Sequence, residues 1–257
     1  MSIALIGTGA IASYVRAQLN SAGLPIAAIV VRPGKKSDGP TPHVSTVADL
    51  PRGIELLIDC AGHEALRTHG VEALRAGIDV VTVSIGALAD AKLEAELGDA
   101  AQEGGSVLHL SSGAIGALDA LRAGRAGTLD KVTYTGRKPP KGWMGSPAED
   151  KLDLANLSEA ATHFSGSARE ASLAYPKNAN VAAAVALSSL GFDNTDVELI
   201  ADPFATSNIH EVTATGDFGA LTFAISGNSL PDNPRSSALA AMSVVAKILE
   251  DRKPIRF

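Results

Sequence analysis

Short, unbroken apolar runs alternate with helical stretches along the N-terminal part of the chain. Ile3 to Ile6 is the first run, followed by GTGAIA and a helical stretch, ASYVRAQLNSAG, that closes at Gly23. IAAIVV (Ile26 to Val31) comes next, then a turn rich in Pro, Gly and Lys. LLIDCA (Leu56 to Ala61) precedes a helical EALRTHGVEALRAG, and DVVTVS (Asp79 to Ser84) precedes AKLEAELGDAAQEGG. SVLHLS (Ser106 to Ser111) ends the series. Continuous apolar strands are the mark of a parallel sheet covered on both faces. Interleaved with helices and joined by right-handed crossovers, they predict a doubly wound α/β fold of the Rossmann type.

Near Gly113 the rhythm changes. VTYTG (Val132 to Gly136) runs into RKPPKGWMGSP, and NANVAAAVALSSLG (Asn178 to Gly191) reads as a buried Ala-rich helix. DVELIAD and HEVTATGDFGALTFAIS then alternate apolar and polar residues around the turn Gly216-Asp217-Phe218-Gly219, which predicts a half-buried antiparallel hairpin. PRSSALAAMSVVAKILEDR reads as one amphipathic helix, with Pro234 at its start and Pro254 beyond its end, packing back on the first domain. The expected organisation is a dinucleotide-binding Rossmann domain over residues 1–111 and 231–257 and a second α/β domain, for substrate and catalysis, over residues 112–230.

Composition narrows the partners. The chain has 257 residues, 46% hydrophobic and 19% charged, a globular balance with room for two modest cores. Its net charge of −6 is spread without long runs of either sign, which argues against nucleic acid or an anionic membrane as partner. Cys60 is the only cysteine, so neither a disulfide framework nor a CxxC metal site is expected, and Cys60 itself reads as a buried strand residue. Apolar stretches fall well short of the ~18 residues of a membrane span, and Met1 leads directly into a strand, so the cytoplasm is the expected location.

Gly7-Thr8-Gly9-Ala10-Ile11-Ala12 is a GxGxxA fingerprint between the first strand and first helix, where its mechanism requires it. Gly7 permits the tight turn, Gly9 lets backbone approach a pyrophosphate, and Ala12 lets the helix sit close to the sheet. The amides of Gly9, Ala10 and Ile11 open that helix toward the phosphates. After the second strand an NAD site usually carries Asp or Glu, but here Arg32, Lys35 and Lys36 follow. Cations suit a 2′-phosphate, so NADP is expected to be accepted, alongside NAD.

VSIGALAD (Val83 to Asp90), SSGAIGALDAL (Ser111 to Leu121), YPKNANVAAA (Tyr175 to Ala184) and ADPFATSNIHEV (Ala201 to Val212) together resemble the L-aspartate dehydrogenase family. The resemblance implies a Rossmann domain carrying NAD(P) and a second domain like that of dihydrodipicolinate reductase. It implies reversible oxidation of L-aspartate to iminoaspartate, which hydrolyses to oxaloacetate and ammonia or feeds quinolinate and NAD synthesis. It also implies His210 of the Asn208-Ile209-His210-Glu211 string as the catalytic residue, and cofactor contacts at Ala114 and Asn180; the oligomeric state is not fixed by the sequence, with a homodimer the expected assembly.

The residues themselves leave alternatives open. His210 can exchange a proton with the substrate amine or attacking water, with activity rising through a group near ~6.5, or be a structural histidine. Glu211 points to the opposite strand face. Asn178 or Asn180 caps the Ala-rich helix, or one of them meets the nicotinamide. Ser84, Ile85 and Gly86 occupy the crevice at a strand's carboxyl end. Lys138 and Lys141, in the loop after the sixth strand, are candidates for the substrate carboxylates or are simply solvated. Trp143 and Met144 read as a mobile lid or an oligomer contact. Rival functions are a dihydrodipicolinate-reductase-like reductase, whose paired-histidine and KxDxPSGT strings are absent, and a non-catalytic Rossmann sensor of NADP.

Overall fold

The computed structural model describes residues 1–35, 39–231, 233–250 and 252–255. The chain forms two compact units, Met1–Ser111 with Ala240–Phe257, and Ser112–Leu239. The first is built on six parallel strands: β1 (Ser2–Ile6), β2 (Ile26–Val30), β3 (His43–Val44), β4 (Ile54–Asp59), β5 (Asp79–Thr82) and β6 (Leu108–Leu110). Their spatial order is β3-β2-β1-β4-β5-β6, the doubly wound Rossmann order. β3 escaped the apolar pattern because two residues are too few to show a period.

β1 lies at the centre, with Leu5 opposite Ile29 on one side and Ile58 on the other. Around it, Val15 and Leu19 of the helix Ala10–Ser21 pack with Val244 and Ile248 of the terminal helix Ala238–Glu250 in one buried cluster. The terminal helix therefore returns to the first unit. It begins at Ala238 rather than Pro234, because Asn233–Ser237 is a strand laddered against Ser229–Leu230. The second unit accordingly continues to Leu239. The expected helix after β4 is broken into His63–Ala65, a π-type turn Leu66–Gly70, and Val71–Arg75.

The second unit carries a mixed sheet of β7 (Leu129–Lys138), β8 (Ala161–Ser167), β9 (Asp196–Ala201), β10 (Asn208–Gly216) and β11 (Gly219–Gly227), in the order β11-β10-β7-β9-β8. β10 and β11 form the expected hairpin, with Gly219 at φ +103° closing its two-residue loop. β9 is not part of that hairpin; it runs parallel to β7. The Ala-rich helix, Asn180–Ser188, is buried along most of its length and packs on β7. Along β10 the buried residues are His210, Val212 and Ala214, at period two.

Candidate functional site

The first unit offers a cleft of about 920 Å³ lined by Gly7, Thr8, Gly9, Arg32, Lys35 and Thr46 among others. Gly7 has φ +95°, and a Cβ there would lie 2.9 Å from the Ala61 Cβ, so both conformation and space require glycine. At Gly9 a Cβ would meet nothing within 4 Å: its face is open to an approaching ligand. The helix that follows has no side-chain cap and no acidic residue in its first turn. Its first amides are thus available to an anion, as a pyrophosphate requires. Ala10 and Ile11 form that first turn, Ile11 also packing against the core.

Arg32 is exposed at the cleft, and the Lys35 ammonium donates to the Thr8 hydroxyl, drawing a cation to the phosphate loop. Lys36 lies outside the described residues. No carboxylate stands at the end of β2, where Val31, Arg32 and Pro33 follow. This donor set fits a dinucleotide, including one with a 2′-phosphate.

The carboxyl ends of β4 and β5 are tied by a residue the sequence did not single out. Asp59, fully buried, accepts from the Thr82 hydroxyl at 2.7 Å, the Ser84 hydroxyl at 2.5 Å and the Ala61 amide at 2.9 Å. Burial raises its pKa against these bonds. Ser84 therefore spends its hydroxyl on Asp59, and Ile85 and Gly86 are buried in the turn Ile85–Ala89. Cys60 is not in a strand: β4 ends at Asp59, and Cys60 lines the cleft, its thiol pKa pushed up by desolvation.

In the second unit, His210 lies on β10 directly opposite Gly136 of β7. Tyr134, Gly136 and Lys138 share one face of β7 by the strand's period of two. His210 is 4% exposed, and its Nδ1 lies 2.7 Å from the Tyr134 hydroxyl. Desolvation, and then the Lys138 charge, push its pKa down to about 4. The titration expected near 6.5 is thereby displaced downward, and the ring is neutral at pH 7.

Lys138 is the last residue of β7 and is buried, correcting its expected position in a solvated loop. Its ammonium donates to Asn178 Oδ1 at 2.7 Å and stands 4.7 Å from the centroid of the Trp143 ring. Among the described residues it has no carboxylate partner, and desolvation lowers its pKa to about 8. With three donors on the ammonium and one directed to Asn178, the group is suited to an incoming anion. His163 also packs against Trp143, with ring centroids 4.4 Å apart and Nδ1 3.2 Å from the Tyr175 hydroxyl.

Other expectations are redistributed. Trp143 is fully buried beneath the Lys138 ammonium and donates to the Ile200 carbonyl at 2.9 Å, so it is a packed core residue and not a lid; Met144 is exposed. Lys141 is exposed beside it. The Ala-rich helix is capped by neither asparagine: Ala179 occupies the N-cap, Asn178 is bound to Lys138, and Asn180 is the first helical residue. Ala114 is buried in the turn before the helix Leu118–Gly124. Glu211, off the His210 face, is half-buried. Among the described residues no helix is long and apolar enough to cross a membrane, and no group of His, Cys, Asp or Glu could hold a metal ion.

Comparison with known proteins gives matches to both units. Residues 7–111 match the family described as homoserine dehydrogenase, NAD binding domain, and residues 119–250 match aspartate dehydrogenase, C-terminal. An L-aspartate dehydrogenase of Ruegeria pomeroyi is 55% identical over 99% of this chain and 94% of its own. One from Pseudomonas aeruginosa is 44% identical, covering 95% of each chain. The crystal structure of aspartate dehydrogenase from Thermotoga maritima superposes with a TM-score of 0.77 at 25% identity, covering 100% of this chain and 99% of that one.

Proposed function

The chain belongs to the aspartate dehydrogenase family, and from that membership we propose that it oxidises L-aspartate with NAD or NADP to iminoaspartate. Water then converts the imine to oxaloacetate and ammonia. The observation that carries this reading to particular atoms is Lys138. It is a buried ammonium without a carboxylate partner among the described residues, and its charge acts on a buried histidine. Such a cation favours an anion that can reach it.

Oxidation at Cα removes a hydride from carbon and a proton from nitrogen. A bound dinucleotide supplies the hydride acceptor. Lys138 pairs with one substrate carboxylate and fixes the orientation of Cα. His210, with Nδ1 engaged by Tyr134, meets the reacting nitrogen through Nε2. Lys141 is exposed and contributes only screened attraction to the second carboxylate. The family resemblance supports cofactor contacts at Ala114 and Asn180 and at the loop of Gly7, Gly9, Ala10 and Ile11. The same reading takes the enzyme as a cytoplasmic homodimer supplying an imine precursor to NAD synthesis.

Arg32 discriminates between cofactors. If it meets a 2′-phosphate, Arg32→Ala weakens NADP by roughly 10-fold or more, as loss of one charge-assisted contact does, and leaves NAD nearly unchanged. Equal losses for both would assign Arg32 to adenine stacking or to solvent. The reading as a whole is tested by adding L-aspartate to purified protein with NAD or NADP and following nicotinamide reduction. Reduction with L-aspartate, and much less with D-aspartate or L-glutamate, is expected; none with either cofactor would overturn it.

A further inference from the structure

Tyr134 is fully buried, and its hydroxyl lies 2.7 Å from Nδ1 of His210. Among the described residues this is the only hydrogen bond of that hydroxyl. The two rings are nearly parallel, 18° apart, with centroids separated by 6.0 Å. The contact depends on a third residue. Gly136 is two positions along β7 on the same face, opposite His210, and a Cβ there would lie 2.8 Å from the Tyr134 oxygen. Any side chain at 136 would push the hydroxyl off the imidazole.

We propose that Tyr134 is the positioning residue of His210: its hydroxyl donates to Nδ1 and fixes the neutral ring as the Nε2–H tautomer, in a notch that Gly136 leaves open. A buried hydroxyl proton needs an acceptor, and Nδ1 is the one within reach, so the hydroxyl donates and does not receive. Burial also raises the tyrosine pKa, which keeps that proton on the phenol. The bond favours neutral over cationic imidazole, since an imidazolium Nδ1–H would leave the phenol proton unpaired. Among the described residues Lys138 is the one charged group that acts on His210, and it opposes the cation too.

The consequence is chemical and rests on the assignment of His210 to the reacting nitrogen. A resting ring with its proton on Nε2 is a donor. Hydride loss from the neutral amine leaves an iminium, C=NH₂⁺, with no lone pair; once its extra proton has passed to water, the Nε2–H donates to the lone pair of the resulting imine and polarises the C=N bond toward the attacking water. The ring does not take the ammonium proton, which leaves to solvent before Cα is oxidised. This reverses the proton-accepting role expected from the sequence.

The test uses the full chain with ¹⁵N-labelled histidine, the His210 signals being identified by their absence in His210→Asn. A protonated Nε2 and unprotonated Nδ1 are expected at pH 7; the opposite tautomer would overturn the proposal. Tyr134→Phe is expected to mix the tautomers, lower kcat about 10-fold, move the acid limb of the pH profile upward, and leave cofactor affinity within twofold. Wild-type kcat and pH profile in Tyr134→Phe, beside an inactive His210→Asn, would sink the positioning role alone. Full activity in His210→Asn would instead sink the assignment of His210. Should Tyr134→Phe fail to fold, Gly136→Ala carries the same tautomer and kcat test. Wild-type behaviour there would count against the notch.

Discussion

At the scale of single residues, the second unit sets two kinds of buried ionisable group side by side, a lysine and two histidines, and desolvation moves each toward neutrality. Lys138, lowered to about 8, still carries its charge at pH 7, and a bound anion would hold it charged. Lys138→Gln removes a charged hydrogen bond worth about 1.5–3 kcal/mol, so the aspartate KM should rise roughly 10- to 100-fold with a smaller change in kcat. Steady-state kinetics at saturating cofactor measure this, and an unchanged KM would exclude Lys138 from substrate binding. The histidines make a prediction about stability. His163 and His210 titrate at about 4 when folded and near ~6.5 when unfolded, so between these values the unfolded chain binds more protons. Stability is therefore complete above about 6.5 and lost as the pH falls toward 4. Denaturant unfolding at pH 7 and 4.5 should show a smaller loss in His210→Asn than in the wild type. An equal loss would mean that His210 is not desolvated.

Elements account for what could be read ahead of the structure. The strands of the first unit were legible because burial on both faces leaves continuous apolar runs, and the GxGxxA loop because its glycines answer to local geometry. Gly7 and Gly9 separate the two demands of that loop. Gly9→Val adds carbon atoms into open space, so fold stability should hold while the cofactor KM rises about 10-fold or more, ~1.4 kcal/mol. Gly7→Ala meets both the left-handed φ and the Ala61 Cβ, and should cost stability first. Thermal unfolding and cofactor titration of the two variants distinguish these outcomes; unaltered cofactor affinity in Gly9→Val would remove the dinucleotide from this loop. The His210 site was less legible. His210 stood out through the family resemblance, and the lysine as a candidate cation for a carboxylate. That Tyr134, Gly136 and Lys138 share a face follows from alternation along VTYTGRK. Their placement against His210 depends on the register of β7 with β10, which joins residues 74 positions apart (210 − 136) and leaves no local trace. The strand Ala161–Ser167, with Thr162, His163, Ser165 and Ser167 polar and only Ala161 and Phe164 apolar, gave too weak an apolar pattern to be recognised. The burial of Trp143 and Lys138 is likewise a tertiary fact, opposite to what a Pro- and Lys-rich segment implies.

For the whole molecule, the net charge of −6 means that anionic ligands are met by placed cations, not by a general field. Arg32 and Lys35 line the cleft of the first unit, and Lys138 is a buried cation of the second. The helix Ala238–Glu250 completes the core of the first unit, so that core closes only when Val244 and Ile248 are in place. Family, fold and site converge on one claim, that L-aspartate is oxidised at a site organised by His210. The most direct test compares wild type and His210→Asn for L-aspartate-dependent reduction of NAD and NADP. The account predicts clear turnover in the wild type. In the variant kcat should fall by about 10²- to 10³-fold, the usual range for a preorganised hydrogen-bond donor at the reacting group, with cofactor affinity retained. A variant with the kcat of the wild type would contradict it.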